Sequence, residues 1–250
     1  MRSGNNKGIK NIILFTLVLI LVYLSYPVEI RERTESGSYT GPRKMMVGLL
    51  KEFGIRDLRL LSAMNKIKRH LFIPEKFRKF CDPYGNHPCP IGSGQTISQP
   101  YIVAYMTERL NIKKGENILE IGTGSGYQAA VLAEIGARVI SLEIIDELSE
   151  HAKKVLAEQG YGKVKVVKSS GYIGYPSGAP YDGIIVTCAP SEIPENLLKD
   201  LKEGGRMIIP VGRYSQKLLF IRKKKGKILV STEMNVRFVP MVRESSTDLP

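Results

Sequence analysis

The sequence predicts an α/β domain built on a mostly parallel, doubly wound sheet. Strand-like and helix-like segments alternate from residue 117 onward, and this order is typical of parallel strands joined by helices that cover both faces. A glycine-rich turn, Gly122-Thr123-Gly124-Ser125-Gly126, directly follows the first of these strands. The 250 residues, of which 43% are hydrophobic, are enough for one such domain with a full core and one appendage.

Each element of the sheet is predicted from a short aliphatic run or from helix-boundary residues. Strands are expected at residues 117–121, 138–143, 164–167, 183–187 and 206–210, and an antiparallel pair at 217–222 and 228–236 completes the sheet. Helices are expected at residues 127–135, from the N-cap Asp146 to Gly160, and from Pro194 to the pair Gly204-Gly205.

A helical cap is predicted in front of the sheet, between residues 44 and 110. Its apolar residues recur at three- and four-residue spacings, as in Leu49, Leu50, Phe53, Leu58, Leu61 and Met64. Prolines then break the pattern into a loop, and Pro100 opens a helix that runs to Leu110. The sequence Gln95-Thr96-Ile97-Ser98 therefore lies close to a helix start.

The formal net charge of +13, from 37 Lys+Arg against 24 Asp+Glu, raises the question of an anionic partner. The charge is spread along the chain, with one dense run at residues 222–227 between two alternating apolar stretches. This arrangement is typical of a solvated hairpin turn. A nucleic-acid patch would interleave aromatic residues, which are missing there, so we expect no nucleic-acid partner.

The chain has three cysteines, Cys81, Cys89 and Cys188. They are odd in number, and none lies in a Cys/His cluster with metal-ligand spacing. The sequence therefore predicts neither a disulfide framework nor a metal site.

The glycine turn fits a methyl donor better than a dinucleotide. Gly122 and Gly124 match the first two positions of the dinucleotide fingerprint, but Tyr127 stands where the third glycine is needed. The pattern reads instead Glu120-x-Gly122-x-Gly124-x-Gly126. Glu120, at the strand end, could accept hydrogen bonds from the ammonium group of a methionine moiety.

A second acid, Glu143, ends the next predicted strand. It is placed to bind both hydroxyls of a ribose, although a solvated acid at a strand end explains Glu143 equally well when taken alone. With the glycine turn and Glu120, it predicts a site for S-adenosylmethionine.

These motifs together resemble the protein-L-isoaspartate(D-aspartate) O-methyltransferase family. The resemblance covers roughly residues 44–243 and is most specific in the block Gln95-Thr96-Ile97-Ser98-Gln99-Pro100. Other matching segments are Arg69-His70-Leu71-Phe72-Ile73-Pro74, Pro90-Ile91-Gly92, Ala189-Pro190-x-x-Ile193-Pro194 and Arg237-Phe238-Val239-Pro240. It implies a Rossmann-like class I S-adenosylmethionine-dependent methyltransferase. The implied activity is methyl transfer to the α-carboxylate of L-isoaspartyl residues in damaged proteins, which starts their repair through a succinimide.

The resemblance also implies roles for individual residues. Ser98 matches the active-site serine whose hydroxyl holds the carboxylate, and Thr96 lies beside it; helix capping by these hydroxyls is compatible with that role. The implied cofactor-binding residues are Gln95, Glu120, Gly122, Thr123, Gly124, Gly126, Glu143, Ser170 and Gly171. The implied substrate-binding residues are Ile97, Arg237, Phe238 and Val239. An isoaspartyl carboxylate is already ionised at neutral pH, so orientation and not a strong base would carry the rate.

Two positions depart from the family pattern. Ser169-Ser170-Gly171 stands where the family has Gly-Asp-Gly, whose acid binds the adenine amine. Because a hydrogen bond to a charged group contributes about 1.5 to 3 kcal/mol, its loss would weaken cofactor binding roughly 10- to 150-fold unless Ser170 substitutes. Asn86 replaces an acid ahead of Pro90, and the adjacent His87 is interpreted as a loop histidine.

We divide the chain into residues 1–42, a basic and hydrophobic segment with its linker, and residues 43–250, the catalytic domain. Basic residues precede an uncharged stretch that begins at Ile12 and ends at Val28. As a helix this stretch would be roughly 25 Å long, slightly short of a hydrocarbon core of about 30 Å. A tilted span is therefore excluded, but a membrane anchor is not.

The flanking charges of this stretch predict that the domain lies outside the cytoplasm, where its cofactor is not made. An anchor in the reverse orientation and a later translation start at Met45 or Met46 both remove the conflict, and a cleaved signal peptide is the third alternative. We expect a cytoplasmic catalytic domain, with membrane attachment through this stretch as one option.

We expect a monomer whose partners are isoaspartyl-containing proteins and peptides. Two other functions stay open: a methyltransferase of the same fold with another acceptor, which the intact Ser98 block argues against, and a non-catalytic, membrane-associated paralogue.

Overall fold

The computed structural model describes residues 39–243. The stretch from Ile12 to Val28 lies outside the described residues, and the division of the chain at residues 42 and 43 stays a prediction. The helices are α1 (Thr40–Glu52), α2 (Leu58–Lys66), α3 (Glu75–Arg78), α4 (Pro100–Leu110), α5 (Tyr127–Glu134), α6 (Asp146–Glu158) and α7 (Glu195–Asp200). The strands are β1 (Cys89–Gly92), β2 (Gln95–Ile97), β3 (Asn117–Ile121), β4 (Arg138–Glu143), β5 (Lys165–Lys168), β6 (Tyr181–Val186), β7 (Leu201–Val211), β8 (Gln216–Lys224) and β9 (Lys227–Val236).

The main sheet has seven strands in the order β5-β4-β3-β6-β7-β8-β9. Strands β3 to β7 run parallel, with Leu119 of β3 opposite Ile140 of β4 and Ile184 of β6. Strands β8 and β9 add an antiparallel pair at one edge. This topology confirms the predicted doubly wound α/β fold, and the carboxyl ends of the parallel strands form one common edge.

The hydrophobic core lies on both faces of the sheet because successive strand residues point to opposite sides. Ile118 of β3 packs with the apolar residues of the helical cap, including Leu60, Met64 and Leu110. Leu119, one residue further, packs on the other face. The predicted helical cap is thus confirmed as the cover of one face.

Two local expectations were wrong. The helix near Pro194 ends at Asp200 and β7 begins at Leu201, so the predicted glycine stop lies inside a strand. The register between β6 and β7 is irregular near Gly204, which has a φ of 80°. The pair Gly204-Gly205 therefore forms a β-bulge, a feature that glycine favours as it favours the end of a helix. Asp146 is the first helical residue and Ile145 is the N-cap.

Two further features were not predicted. Strands β1 and β2 form an antiparallel hairpin. Cys81 and Cys89 form a disulfide, with their Cα atoms 5.9 Å apart. The expectation that no disulfide would form was wrong because the pairing depends on how the intervening loop folds back. Cys188 has a free thiol. In residues 39–243, none of the helices has the length and apolar character that crossing a membrane requires.

Candidate active site

A cleft opens at the carboxyl ends of β3, β4 and β6, with an empty volume of about 740 Å³ when its mouth is included. The stretches of chain that line it include the glycine turn after β3, the end of β4, the block at residues 95–98, and residues 239–242 after β9. A crevice outside the carboxyl ends of parallel strands is where α/β folds bind ligands. The two sequence motifs therefore meet in one cavity.

The glycine turn brings the backbone close to the cavity. Gly122 has a φ of 91°, and a Cβ atom there would lie 2.7 Å from Oγ1 of Thr187. That hydroxyl instead donates to the carbonyl oxygen of Gly122 at 2.6 Å. Only glycine fits both the backbone conformation and this close approach.

Glu120 is fully buried at the floor of the cleft. Its Oε2 accepts from the hydroxyl of Ser141 at 2.6 Å, and that hydroxyl is in turn 2.6 Å from Oγ1 of Thr123. Its Oε1 has no hydrogen-bond partner among residues 39–243. Burial, together with the nearby charge of Glu143, raises the pKa of Glu120 to about 8. A buried acceptor of this kind is satisfied by a cationic donor, which is what an ammonium group provides.

Glu143 is buried and holds two pieces of backbone together. Its Oε2 accepts from the amide of Gly124 at 2.7 Å, and its Oε1 accepts from the amides of Ile144 and Ile145 at 3.0 Å each. The interpretation as a solvated acid at a strand end is therefore wrong. Each carboxylate oxygen has further lone-pair capacity, so the group can still accept from ligand hydroxyls.

The block at residues 95–98 forms the opposite wall, and Gln95, Thr96, Ile97 and Ser98 all line the cleft. Helix α4 starts just beyond it with Gln99 as N-cap, and no side-chain hydrogen bond caps this helix from that residue. The hydroxyls of Thr96 and Ser98 are thus not used as the N-cap.

Asn86, one of the two departures from the family pattern, supports this wall. Its Oδ1 accepts from the amide of Tyr101 at 3.0 Å, and its carbonyl oxygen accepts from the side chain of Gln99 at 2.9 Å. An asparagine oxygen satisfies a free amide at a helix start as well as a carboxylate does. Asn86 therefore supplies a contact that orients the start of α4.

Residues after β9 return to the cavity. Val239 accepts from the amide of Ala189 at 2.8 Å, and Met241 donates to the carbonyl oxygen of Ala189 at 2.9 Å. The side chain of Gln216 donates to the carbonyl of Phe238 at 3.0 Å and accepts from its amide at 2.6 Å. Val239 lines the cleft, whereas Arg237 and Phe238 precede it in the chain and are not among the lining residues.

The second departure, at residues 169–171, borders the cleft only in part. Ser169 and Gly171 line the cleft, but Ser170 does not. Ser170 is buried, and its hydroxyl accepts from the amide of Tyr172 at 3.4 Å. Gly126 likewise does not line the cleft and serves as the N-cap residue of α5.

Several lining residues were missed from the sequence, among them Gln128, Ile144, Ile145, Thr187, Cys188, Pro240 and Met241. Thr187 and Cys188 follow β6 directly, and the rule that ligands bind at carboxyl ends could have found them. Burial, followed by the charges of Glu143 and Glu120, raises the pKa of the Cys188 thiol. This thiol is therefore protonated at neutral pH and is not a ready nucleophile. Among residues 39–243, no three His, Cys, Asp or Glu side chains converge as metal ligands.

Comparisons with known proteins agree with this geometry. The family model described as Protein-L-isoaspartate(D-aspartate) O-methyltransferase (PCMT) matches residues 42–246. A protein-L-isoaspartate O-methyltransferase of Opitutus terrae is 49% identical over 192 residues, which cover 76% of this chain and 82% of the relative. The corresponding protein of Gloeobacter violaceus is 46% identical over 197 residues, which cover 78% of this chain and 95% of the relative. That relative therefore consists of little besides the matched region.

Solved structures give the same answer. One protein-L-isoaspartate O-methyltransferase structure superposes with a TM-score of 0.72 at 31% identity, over 79% of this chain and 65% of the other. A second, from Plasmodium falciparum in complex with S-adenosyl-L-homocysteine, has a TM-score of 0.71 at 28% identity and covers 80% of this chain and 98% of the other. The resemblance drawn from the sequence motifs is confirmed: the chain belongs to the protein-L-isoaspartate(D-aspartate) O-methyltransferase family.

Proposed function

We propose that this cleft transfers a methyl group from S-adenosylmethionine to the α-carboxylate of L-isoaspartyl residues, with Ser98 and Thr96 holding the carboxylate. The observation that carries the proposal is the placement of two unlike walls across one cavity. Glu120 offers a buried acceptor without a partner on one wall, and Ser98 offers a hydroxyl on the other. A cationic methyl donor and an anionic acceptor fit such a pair of walls.

The donor wall holds the cofactor through this chain's own groups. The free oxygen of Glu120 accepts from the ammonium group, and Glu143 accepts from the ribose hydroxyls while its contact to Gly124 keeps the glycine turn in place. Gly122, Thr123, Gly124 and the side chain of Gln95 complete the binding surface. Gly126 contributes from outside the cleft, as the N-cap residue at which α5 begins. When bound, S-adenosylmethionine supplies a methyl group on a sulfonium centre.

The acceptor wall orients a nucleophile that needs no activation. The isoaspartyl carboxylate is ionised at neutral pH, and its two oxygens can accept from the hydroxyls of Ser98 and Thr96. Correct alignment of reacting atoms supplies effective molarities on the order of 10⁵ to 10⁸ M. Ile97 and Val239 line the cleft beside these hydroxyls, and we assign Arg237 and Phe238 to the substrate backbone outside it.

The serine pair at residues 169–170 stands where the adenine contact is expected. Ser169 lines the cleft and Ser170 is turned away, which supports Ser169 as the adenine partner, with Gly171 leaving room beside it. A Cβ atom on Gly171 would collide with Cγ2 of Ile121. Ser169→Asp is expected to tighten cofactor binding by about tenfold, as a charged acceptor adds about 1.5 kcal/mol. Ser170→Asp tests the sequence-based alternative, and tightening by that variant alone would reverse the assignment.

The deciding experiment is labelled methyl transfer from S-adenosylmethionine to an isoaspartyl peptide and to its aspartyl twin. Labelling of the isoaspartyl peptide alone is expected. Ser98→Ala should lose most turnover while keeping cofactor affinity, and Ser93→Ala, a hydroxyl on the same hairpin bonded to Glu147, should keep both. Labelling of neither peptide by the wild-type protein, with the cofactor bound, would point to another acceptor.

We also propose a monomeric enzyme whose catalytic domain works in the cytoplasm, tethered by the stretch that begins at Ile12 and ends at Val28. The support is the uncharged run itself, next to Arg2, Lys7 and Lys10. Carbonate extraction of membranes from expressing cells tests the tether. Release of the full-length chain into the soluble fraction would contradict it.

A further inference from the structure

The edge of the sheet opposite the cleft is densely basic. The amino ends of the parallel strands lie at this edge. The turn between β8 and β9 lies at the same edge, because β8 runs antiparallel to β7 and its residue Arg222 pairs with Arg206 near the start of β7. We call this surface the basic edge. Its exposed cations are Lys113, Lys114, Arg138, Lys163, Lys165, Arg222, Lys224, Lys225 and Lys227.

The acids of this edge are already engaged. Three carboxylates are involved: Glu116 with Arg206 at 2.6 Å, Asp182 with Lys202 at 2.7 Å, and Glu203 with the turn amides of Lys225 and Gly226. Within residues 39–243, no carboxylate forms an ion pair with Arg222, Lys224 or Lys227. The edge therefore carries a field that attracts anions.

Exposed aliphatic residues stand next to these cations. Ile228, Leu229 and Val230 are consecutive in β9 and are 36%, 49% and 52% exposed. Successive strand residues face opposite sides, so both faces of this end of the hairpin are open. A solvated turn explains the lysines, as the sequence predicted, but it does not explain three exposed aliphatic side chains in a row.

A groove further along the same edge is also lined by both apolar and cationic residues. Its lining is apolar at Ala133, Val139 and Val164 and cationic at Arg138 and Lys163. Among the residues that the structure describes, no carboxylate lines this groove. Cations thus adjoin apolar side chains at two places on the edge. Val139 and Val164 in the groove are buried, whereas the aliphatic side chains of the hairpin are exposed.

We propose that the basic edge binds the surface of a membrane rich in anionic phospholipid. Lysine and arginine side chains contact lipid phosphates, and neighbouring aliphatic side chains enter the boundary of the acyl chains. Single-stranded nucleic acid is the less suitable partner because no aromatic residue stands in residues 222–230 to stack on a base. Bound in this way, the domain turns its cleft away from the lipid, where substrate proteins have access.

Vesicle binding by residues 39–250, which lack the amino-terminal stretch, tests the proposal. Vesicles with phosphatidylglycerol should bind the domain, and vesicles of phosphatidylcholine alone should not. The variant Arg222→Glu/Lys224→Glu/Lys227→Glu should bind at least about 100-fold more weakly, since each cation near the surface contributes about fivefold. Leu229→Thr/Val230→Thr should weaken binding by about tenfold while its salt dependence remains.

The matched control is Lys44→Glu/Lys51→Glu/Lys153→Glu, which changes the net charge equally on exposed helix positions away from the edge. It should stay within about threefold of the wild type because remote exposed charges are screened. All variants should keep their methyl-transfer rate. If the triple reversal does not fold, Lys224→Gln/Lys227→Gln takes its place, and its affinity for anionic vesicles should be about 25-fold weaker than that of the wild type. Equal binding by edge and control variants, or a single-stranded RNA that binds the edge more tightly than anionic vesicles, would overturn the proposal.

Discussion

Replacing Glu120 with glutamine is expected to stabilise the cofactor-free domain and to remove its cofactor affinity. The carboxyl is buried, its Oε1 has no partner among residues 39–243, and burial with the charge of Glu143 raises its pKa to about 8 from a reference value of 4.5. Between those two values the folded protein keeps a proton that the unfolded chain has released. Stability therefore falls as pH rises from 4.5 to 8 and is flat above that window.

The size of this effect follows from the same two values. Each pH unit within the window costs about 1.4 kcal/mol, so at pH 7 this one group lowers the unfolding free energy by about 3 kcal/mol relative to pH 4.5. For a domain of about 200 residues, that corresponds to roughly 6 to 12 °C in melting temperature. Glutamine does not titrate, and it can still accept from Ser141, so Glu120→Gln should escape the loss.

Thermal unfolding between pH 5 and 9, with and without S-adenosylhomocysteine, measures both effects. The melting temperature of Glu120→Gln should exceed that of the wild type by a margin that grows up to pH 8. Saturating S-adenosylhomocysteine should raise the melting temperature of the wild type only, by an amount set by the ligand concentration relative to its dissociation constant. Glu147→Gln, at an exposed acid, is the control and should show no such trend. A stability difference that does not change with pH, or a variant that still binds the ligand, would refute the reasoning.

Three further predictions concern the supports of the cleft. Gln216→Met leaves the amide and carbonyl of Phe238 unpaired and should raise the KM for an isoaspartyl peptide by about fivefold or more without changing cofactor affinity; an unchanged KM would contradict it. Asn86→Ala should lower the melting temperature by roughly 2 to 4 °C through loss of about 1 kcal/mol at the start of α4, whereas Asn86→Asp should not, as unfolding curves can check. Reduction of the Cys81–Cys89 disulfide, which closes a loop with a sequence separation of 8, should cost roughly 2 to 3 kcal/mol. The melting temperature of Cys81→Ser/Cys89→Ser should then not respond to reductant.

Local patterns sufficed for much of the fold and for the centre of the site. The bounds of β3 and β4 follow from short aliphatic runs, and the glycine turn identifies the strand end that carries Glu120. These features are decided within a few residues, so the sequence contains them directly. The pairing of the two motifs across one cleft followed from the resemblance to a known family.

Features decided by distant packing could not be predicted. Which of Ser169 and Ser170 faces the cleft depends on how the chain turns after β5. A shift of one residue in that turn would place the other serine at the cleft. The glycine pair after Asp200 suits a helix stop and a bulge equally, and only pairing with β6 selects the bulge. The role of Glu143 as a backbone support depends on the position of two loops.

The disulfide has a consequence for where the domain is made. Disulfides persist in oxidising compartments, and glutathione and thioredoxin keep cytosolic thiols reduced. The state of Cys81 and Cys89 in protein trapped by alkylation inside intact cells is therefore a marker of location. Free thiols would indicate a domain that folded in the cytoplasm, next to its cofactor supply. An oxidised pair would indicate that the domain is exported, which the charges around the amino-terminal stretch also favour. A methyl donor would then have to reach the domain outside the cytoplasm.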